Sequence, residues 1–340
     1  MGVKIAFTGT GYIAQIHARA VQNLPGIEPV AVVNHRPDSM ATFAAEFGIP
    51  RRYATVEALL RDGGVDALSV NTPNYLHASQ TIAALEAGVP VMVEKPMAMN
   101  AEEAGAMMAA SERTGALLMV AHCWRFDPEV LWLREQVTAG RLGRIVRTKG
   151  YGVHVRWGPS GWFTQQRYAG GGAIADVGIH ALDTARFLLG DPQPVSVYAR
   201  IGTHYTPTGT DYDVDDTGII IVNWNNDASS YLEAGWWQPH ADGPLASTQI
   251  YGTRGFGQVF PTYLDLMSED RTASRRIESG FSLRREPHTP QRLYDTQMAY
   301  FLDCVRSGQT PKPGGWEGWV NMRVVDAAYE SARTGQMIAL

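Results

Sequence analysis

Asp176 and His180 are four positions apart, a spacing that places two side chains on one face of a helix. An imidazole titrates near neutral pH, and a neighbouring carboxylate can orient the ring and tune its proton affinity. Three glycines at 170–172 precede the pair and Gly178 lies within it, so this helix could approach a flat ligand closely. These residues indicate a proton-transfer unit, and an ordinary ion pair on a helix surface is the alternative.

Lys95 lies in the run Glu94-Lys95-Pro96, directly after the apolar residues 91–93. A buried strand that ends this way places the ammonium group at the carboxyl end of a sheet, where parallel sheets bind their ligands. The preceding strand ends in a polar run that could hydrogen-bond a ribose or a diphosphate, and its residues are Asn71, Thr72, Asn74 and His77. Taken alone, either run could equally be a polar loop between a strand and a helix.

The chain opens with a strand, a glycine-rich turn and a helix, in that order. The turn is Gly9-Thr10-Gly11-Tyr12-Ile13-Ala14. Gly9 permits a tight turn, Gly11 lets the backbone approach a pyrophosphate, and Ala14 allows the helix to pack closely on the strand. The N–H groups at the helix start then face the anion. This context predicts a dinucleotide site, and a glycine turn without a ligand is the alternative.

Strands and helices alternate over the first 120 residues. Strands are predicted at 3–8, 29–33, 66–70, 89–93 and 117–121, with helices from 16 and at 39–47, 76–87 and 101–114. Continuous apolar strands separated by helices indicate a doubly wound parallel sheet with both faces covered.

The pattern changes near residue 123, where longer segments alternate between apolar and polar residues. Strands of a mainly antiparallel sheet are predicted at 145–155, 195–201, 218–224, 228–234 and 247–251, with helices from 128 and at 173–189, 291–306 and 317–334. The sequence therefore predicts an α/β protein of two tightly joined domains, 1–122 and 123–340, with a cleft between them.

Composition excludes several classes of partner. The net charge of −5 provides no basic field, so neither nucleic acid nor an anionic membrane is an expected partner. The two cysteines, Cys123 and Cys304, are far apart and lack metal-ligand spacing, so we expect neither a disulfide framework nor a metal site. No apolar run reaches membrane-spanning length. The N-terminal residues form the first predicted strand, so we expect no cleavable signal peptide. We expect a cytoplasmic protein.

Aromatic and polar residues of the second domain are candidates for binding a substrate. They are Trp124, Arg125, His154, Trp162, Arg167 and Trp237. Indole faces beside hydrogen-bonding groups suit a sugar or a cyclitol, whose C–H faces pack on the ring. Each tryptophan could equally belong to the core or to a subunit contact.

Together these motifs resemble the glucose–fructose oxidoreductase/inositol dehydrogenase family, also called Gfo/Idh/MocA. The motifs are GTGYIA, TPNYLH, EKP, AHCWRF, GGGAIADVGIHALD and the closing AAYESARTGQMIAL, and they span essentially the whole chain. The resemblance implies a Rossmann domain for NAD(P) and a second, α+β domain for substrate, built on a large open, mainly antiparallel sheet. It also implies a homodimer or homotetramer formed through that sheet, with a C-terminal helix able to pack back on the first domain.

The resemblance also implies residue roles. Lys95 matches the lysine that contacts the reacting hydroxyl and the nicotinamide, and His180 matches the general acid/base, with Asp176 beside it. Some members carry tyrosine in place of His180, so the histidine favours the dehydrogenase-like branch. Cofactor-contact positions fall on Gly9, Gly11, Tyr12, Ile13, Asn71, Thr72, Asn74, His77, Glu94 and Lys95.

One departure concerns the cofactor. NAD-preferring members usually carry aspartate after the second strand, whereas this chain has Asn34-His35-Arg36. No carboxylate in that run would repel a 2′-phosphate, and Arg36 or His35 could pair with one, so the run favours NADP slightly over NAD. Asn34 could still bind a free 2′-hydroxyl, and Arg36 could instead point into solvent.

The predicted reaction is the reversible oxidation of a secondary hydroxyl on a sugar, a cyclitol or a sugar derivative. Two alternatives use the same scaffold. One is a glycoside hydrolase or lyase that oxidises its substrate transiently with bound NAD, and the other is a sugar sensor without enzymatic activity.

Overall fold

The computed structural model describes residues 2–207, 211–240, 246–281 and 291–340. The chain divides into two compact units. The first consists of Met1–Cys123 with Pro290–Trp319, and the second of Trp124–Thr289 with Val320–Leu340.

The first unit contains a six-stranded parallel sheet. Its strands are β1 (Val3–Thr8), β2 (Ile27–Val33), β3 (Arg51–Tyr53), β4 (Ala67–Val70), β5 (Val91–Val93) and β6 (Leu118–Val120). Their order, β3-β2-β1-β4-β5-β6, reverses direction between β1 and β4, as in doubly wound dinucleotide-binding sheets. The last three of these strands are buried along their whole length, which explains their unbroken apolar sequences. The predicted parallel sheet is confirmed.

Helices connect these strands, and two of the five begin at a side-chain cap. They are α1 (Tyr12–Gln22), α2 (Pro37–Phe47), α3 (Val56–Asp62), α4 (His77–Glu86) and α5 (Ala101–Thr114). The Asn100 side chain caps α5 by accepting the N–H of Glu103 at 2.9 Å, and Gly115 ends it in the left-handed conformation. Sequence patterns did not predict the short elements β3 and α3.

The second unit contains a nine-stranded sheet. Its strands in chain order are β7 (Ile145–His154), β8 (Pro194–Gly202), β9 (Thr217–Trp224), β10 (Ser229–Trp236), β11 (Ala246–Gly252), β12 (Gly255–Val259), β13 (Tyr263–Met267), β14 (Ser274–Glu278) and β15 (Ile338–Ala339). The order is β14-β13-β12-β11-β7-β10-β9-β8-β15, and every pair is antiparallel except β7 with β10. The predicted, mainly antiparallel sheet is confirmed, although β12–β15 were not predicted.

Helices α6 (Pro128–Thr138) and α8 (Ile179–Leu189) pack on one face of this sheet, and the short helix α7 (Gln166–Ala169) lies between β7 and α8 in the chain. Helix α8 packs on β7, β10 and β11, and α6 packs on α8 and β12. Leu133, Leu188 and Ile250 belong to the core between them. Strand β9 alternates between buried and more exposed residues, so the described residues of this unit do not cover its second face.

The last two helices are α9 (Gln291–Ser307) and α10 (Gly315–Thr334). Helix α9 packs on α1, and Gln291 Nε2 donates a hydrogen bond to the Ile16 carbonyl at 3.0 Å. Helix α10 begins in the first unit and ends in the second. This return of the chain to the first unit leaves no local pattern in the sequence, and the functional division at residue 122 stays a prediction.

Candidate functional site

The glycine turn of the first unit has the geometry of a phosphate-binding loop. Gly9 has φ of +81°, and a Cβ there would lie 2.5 Å from the carbonyl oxygen of Asn71. Its N–H donates to the Val33 carbonyl at 3.0 Å, so the turn is held where β1, β2 and β4 end. Gly11 precedes α1 and has no side chain to cap it, and Tyr12 is 75% exposed. The first N–H groups of α1 can therefore receive an anion, and these residues fit a bound pyrophosphate.

The end of β2 is braced against this turn. Asn34 Nδ2 donates to Thr10 Oγ1, and Asn34 Oδ1 accepts the N–H of Arg36 at 3.1 Å. Thr10 Oγ1 also lies 2.6 Å from Ser39 Oγ, so two hydroxyl groups that the motifs do not single out line this corner. His35 and Arg36 are exposed, as is Asp38 in the first turn of α2. A cationic and an anionic side chain thus follow β2 two positions apart.

A series of buried polar side chains connects α1 with the ends of β4 and β5. His17 Nε2 is 3.1 Å from Glu94 Oε1, and His17 Nδ1 is 3.1 Å from Ser69 Oγ. Ser69 Oγ in turn accepts a hydrogen bond from Asn71 Nδ2 at 3.1 Å. The second oxygen of Glu94 accepts the N–H of Lys95 at 3.0 Å, which fixes the backbone beside the candidate lysine. Helix α1, β4 and the end of β5 are therefore linked by hydrogen-bonded side chains.

The side chains next to Glu94 favour the ionised form of its carboxyl group. Burial raises the pKa of its carboxyl group, but the hydrogen bond from His17 and the positive charges of His17 and Lys95 lower it by more. The net pKa lies below the ordinary value for glutamate. Sequence patterns did not select His17. Its position on the buried face of α1, four residues before Val21, was the available signal, because a buried imidazole requires a partner.

His77 is buried, and both of its ring nitrogens lie against main-chain oxygens. Nδ1 is 2.8 Å from the Pro96 carbonyl, and Nε2 is 2.8 Å from the Thr72 carbonyl. Burial lowers the pKa of His77 and outweighs the two carbonyls and Glu94, which raise it. A neutral imidazole has one N–H group, so it donates to one of these two carbonyls. Through both contacts His77 supports the loops after β4 and β5 from within the unit.

In the second unit, Asp176 and His180 lie on consecutive turns of one helical segment. Asp176 belongs to a π-helical turn, Ile174–Gly178, and His180 lies in the first turn of α8. Asp176 Oδ2 accepts a hydrogen bond from Trp236 Nε1 at 3.1 Å. The ring of His180 stacks on Trp124 with 4.8 Å between centroids. π-Helical turns are frequent at functional sites. This one carries the Asp176 carboxylate, and the His180 imidazole follows it in α8, with both side chains half-buried.

Two family models match successive parts of the chain. Residues 3–122 match the family described as "Oxidoreductase family, NAD-binding Rossmann fold", and residues 130–256 match the "GFO/IDH/MocA C-terminal domain". The D-glucoside 3-dehydrogenase of Escherichia coli strain K12 is 30% identical over 357 residues, covering 99% of this chain and 97% of that protein. The chain belongs to the Gfo/Idh/MocA family.

Two further proteins illustrate the range of this oxidoreductase family. A D-xylose 1-dehydrogenase (NADP(+)) of Haloferax volcanii is 31% identical over 320 residues, covering 92% of each chain. A levoglucosan dehydrogenase solved with NADH and L-sorbose superposes with a TM-score of 0.88 at 25% identity, covering 100% of this chain and 99% of that one.

Among the predicted substrate residues of this Gfo/Idh/MocA protein, Arg125 is the one whose side chain is held by two aspartates. Its guanidinium donates to Asp183 at 2.8 and 2.7 Å and to Asp191 at 3.2 and 2.8 Å. Burial lowers the pKa of Arg125, but the two carboxylates outweigh it and hold the pKa above its ordinary value. Because four hydrogen bonds occupy this buried side chain, we do not carry Arg125 into the proposed substrate site.

The remaining predicted substrate residues have aromatic neighbours. His154 stacks on Trp157 at 3.7 Å, and Trp162 stacks on Phe163 at 3.8 Å between centroids. Arg167 is exposed, donates to Gln165 Oε1 at 2.9 Å and lies over the ring of Tyr168.

Tyr212 joins the two tryptophans at the end of β10 and was not selected from the sequence. Its ring centroid lies 5.5 Å from that of Trp237 and 6.4 Å from that of Trp236. The Tyr212 hydroxyl donates to the Pro159 carbonyl. The three rings form one aromatic cluster, and one of its members binds the Asp176 carboxylate.

Two absences hold for the described part of the chain. No helix there is long and apolar enough to cross a bilayer. The same residues contain no group of three or more histidine, cysteine or acidic side chains placed to hold a metal ion.

Proposed function

We propose that this protein is an NAD(P)-dependent dehydrogenase that reversibly oxidises a secondary hydroxyl of a sugar, a cyclitol or a sugar derivative. The observation that carries the proposal is the carboxylate of Asp176 on the π-helical turn and the imidazole of His180 on the α-helix that continues it, with Trp236 bound to the first and Trp124 stacked on the second. Family membership and the named activities of the relatives support the same class of reaction.

The cofactor is assigned to the first unit. The N–H groups after Gly9 and Gly11, at Tyr12 and Ile13, would hold the pyrophosphate. The groups after β4 and β5 would line the nicotinamide ribose, with Asn71, Thr72 and Asn74 nearest and with Glu94 and His77 supporting the loops. When bound, the nicotinamide supplies a hydride acceptor.

In oxidation, the substrate carbon loses a hydride and its hydroxyl loses a proton, which leaves a carbonyl group. His180 takes the proton on a ring nitrogen, and the Asp176 carboxylate, held by Trp236, orients and stabilises the resulting imidazolium. Lys95 donates a hydrogen bond to the reacting oxygen and stabilises its developing negative charge. The proposal requires Lys95 and His180 to reach the same hydroxyl.

The substrate is assigned to aromatic and polar groups of the second unit. Trp124, Trp162 and Trp237 offer indole faces on which the C–H faces of a pyranose or an inositol ring would pack. His154 and Arg167 would hydrogen-bond hydroxyl groups. Such a site selects polyhydroxylated rings over flat or apolar alcohols.

The experiment is a panel of polyols and sugars assayed with NAD and with NADP, comparing wild type with Lys95→Ala and His180→Ala. Wild type is expected to produce reduced cofactor in proportion to the oxidised substrate. Each variant is expected to lose turnover by about 100-fold or more while retaining cofactor binding. Full turnover by both variants would overturn the roles of Lys95 and His180.

The same panel separates the two other uses of this scaffold. A hydrolase or lyase that oxidises its substrate transiently would consume a glycoside without net reduction of added cofactor. A sensor would bind a sugar without turnover. Either result would replace the dehydrogenase proposal.

A further inference from the structure

The start of the helical segment that carries Asp176 and His180 is packed against two residues from distant parts of the chain. A Cβ at Gly171 would overlap the hydroxyl of Tyr329, and a Cβ at Gly172 would overlap the main-chain oxygen of Asp215. Asp215 lies in the loop before β9, and Tyr329 lies on α10. The glycines of this run are thus required for contact within the second unit, whether or not they also approach a ligand.

Asp215 binds three successive N–H groups at this point. Its Oδ1 accepts the N–H of Gly172 at 2.8 Å, and its Oδ2 accepts the N–H of Ile174 at 2.9 Å. The N–H of Ala173, between them, donates to the Asp215 carbonyl at 2.9 Å. One residue therefore satisfies the donors at the N-terminus of the π-helical turn, where a carboxylate is also favoured by the helix dipole.

Tyr329 holds the carboxylate in place. Its hydroxyl donates to Asp215 Oδ1 at 2.7 Å and accepts the N–H of Gly172 at 3.2 Å. Burial raises the pKa of Asp215 and outweighs the hydrogen bonds that lower it, while burial and the neighbouring Asp215 raise the pKa of Tyr329. Tyr329 therefore stays protonated and acts as a donor.

The register of the π-helical turn depends on these bonds. Asp176 N–H donates to the Gly172 carbonyl at 3.0 Å, so the residue whose N–H binds Asp215 is also the acceptor for Asp176. Each residue of an α-helix rotates a side chain by about 100°, so a slip of one residue would turn Asp176 away from Trp236 Nε1. A fixed origin for the turn is needed to keep Asp176 and His180 on one face.

We infer that Asp215 is a positioning residue for the proposed reaction. It holds the π-helical turn so that Asp176 binds Trp236 and orients His180. Tyr329 supports Asp215 in this role. The inference rests on the proposed roles of Asp176 and His180. Asp215 and Tyr329 act through the turn and contact neither the substrate nor the reacting atoms.

The test compares Asp215→Asn and Tyr329→Phe with wild type. In Asp215→Asn an amide nitrogen replaces one carboxylate oxygen and meets an N–H donor, so one of the bonds to Gly172 or Ile174 is lost. Tyr329→Phe removes the phenolic donor and leaves the carboxylate. Both variants are expected to lower kcat by about tenfold or more, because small misplacements of reacting groups have large effects on rate. The KM for NAD(P) is expected to stay within about twofold, since the glycine turn that binds it belongs to the first unit.

A spectroscopic measurement separates positioning from a loss of stability. The indole ¹H–¹⁵N resonance of Trp236 reports its hydrogen bond to Asp176, and Trp236→Phe identifies it among the nine tryptophans. This resonance is expected to shift in Asp215→Asn and in Tyr329→Phe. It can be measured without a substrate, so a failure of the proposed function, seen as no turnover by wild type, is distinguishable from a failure of this inference.

Asp216→Asn is the matched control. Asp216 is buried, and its carboxylate accepts the N–H groups of His204, Tyr205 and Thr206. Its bond from the Trp236 N–H uses the main-chain oxygen and survives the substitution. Asp216→Asn is expected to leave the indole resonance and kcat close to wild type. An unshifted resonance with unchanged kcat in Tyr329→Phe and in folded Asp215→Asn, or equal losses of kcat in all three variants, would overturn the inference.

Discussion

The imidazole Nε2 of His17 lies 3.1 Å from Oε1 of Glu94, with both side chains almost completely buried. His17 lies on the helix that follows the glycine turn, and Glu94 directly precedes Lys95. The pair therefore connects the helix assigned to the pyrophosphate with the strand end assigned to the reacting hydroxyl. Replacing either side chain would leave the other one buried without this partner.

We predict that Glu94→Gln changes the pH dependence of stability. The folded-state pKa of Glu94 lies below its ordinary value, so the folded protein binds fewer protons than the unfolded chain in that range. The stabilisation is present above the unfolded pKa of about 4.3 and is lost as pH falls through the folded pKa. Urea unfolding at a series of pH values from about 7 to 3 should show a shallower acid decline in Glu94→Gln than in wild type.

Glu86→Gln is the control for this measurement, because Glu86 forms an exposed ion pair with Arg113 at 2.9 Å. Exposed pairs contribute about 0–1 kcal/mol, so this variant should follow wild type at every pH. If Glu94→Gln also followed wild type throughout, the folded-state pKa of Glu94 would not lie below its ordinary value.

How much of this arrangement is visible in the sequence depends on the distance along the chain between partners. The strand, the glycine turn and α1 are consecutive, and local periodicity predicted all three. The strands β12–β14 were missed because their sequences lack a regular alternation of buried and exposed residues. The π-helical turn was not predicted because nearly every residue of 173–182 is apolar, so a change of helical register leaves no visible mark on the pattern. The bond between Tyr329 and Asp215 joins residues 114 positions apart, and no local pattern reports it.

We predict that Arg36 discriminates between the two cofactors. Arg36→Ala should weaken binding of NADP by about tenfold or more and leave NAD within about twofold, since only NADP carries a 2′-phosphate. Asp38→Asn should instead strengthen binding of NADP, because it removes an exposed carboxylate two positions from Arg36. Titration of each variant with both cofactors measures the effect.

Arg61→Ala, an exposed arginine in the last turn of α3, controls for the general loss of positive charge. It should leave the ratio of the two affinities unchanged. Equal weakening of NAD and NADP by Arg36→Ala would show that Arg36 does not read the 2′ position.

We predict that Arg125→Met and Arg167→Met have opposite profiles. Arg125→Met leaves Asp183 buried without its principal cation, and should lower the free energy of unfolding by about 3–5 kcal/mol. Arg167→Met replaces an exposed side chain and should change stability by less than about 0.5 kcal/mol. If Arg167 binds substrate as proposed, its variant should raise KM for the substrate. Denaturant unfolding and steady-state kinetics on both variants check the two roles, and a stable Arg125→Met with a raised substrate KM would return Arg125 to the binding site.

We predict that the uncovered face of the nine-stranded sheet forms the subunit interface. Ile221 of β9 pairs with Tyr198 of β8 and with Tyr231 of β10, so the three side chains form a row on that face. Ile221 is 37% exposed although its strand has hydrogen-bonded neighbours on both sides, and a partner subunit would bury it. Ile221→Glu should therefore dissociate the assembly, because an unpaired carboxylate would be buried at the interface.

Sedimentation velocity measures the masses of wild type and variant. Leu131→Glu introduces the same charge at an exposed position of α6 and should leave the mass of the assembly unchanged, whereas an intact assembly in Ile221→Glu would place the interface on another surface.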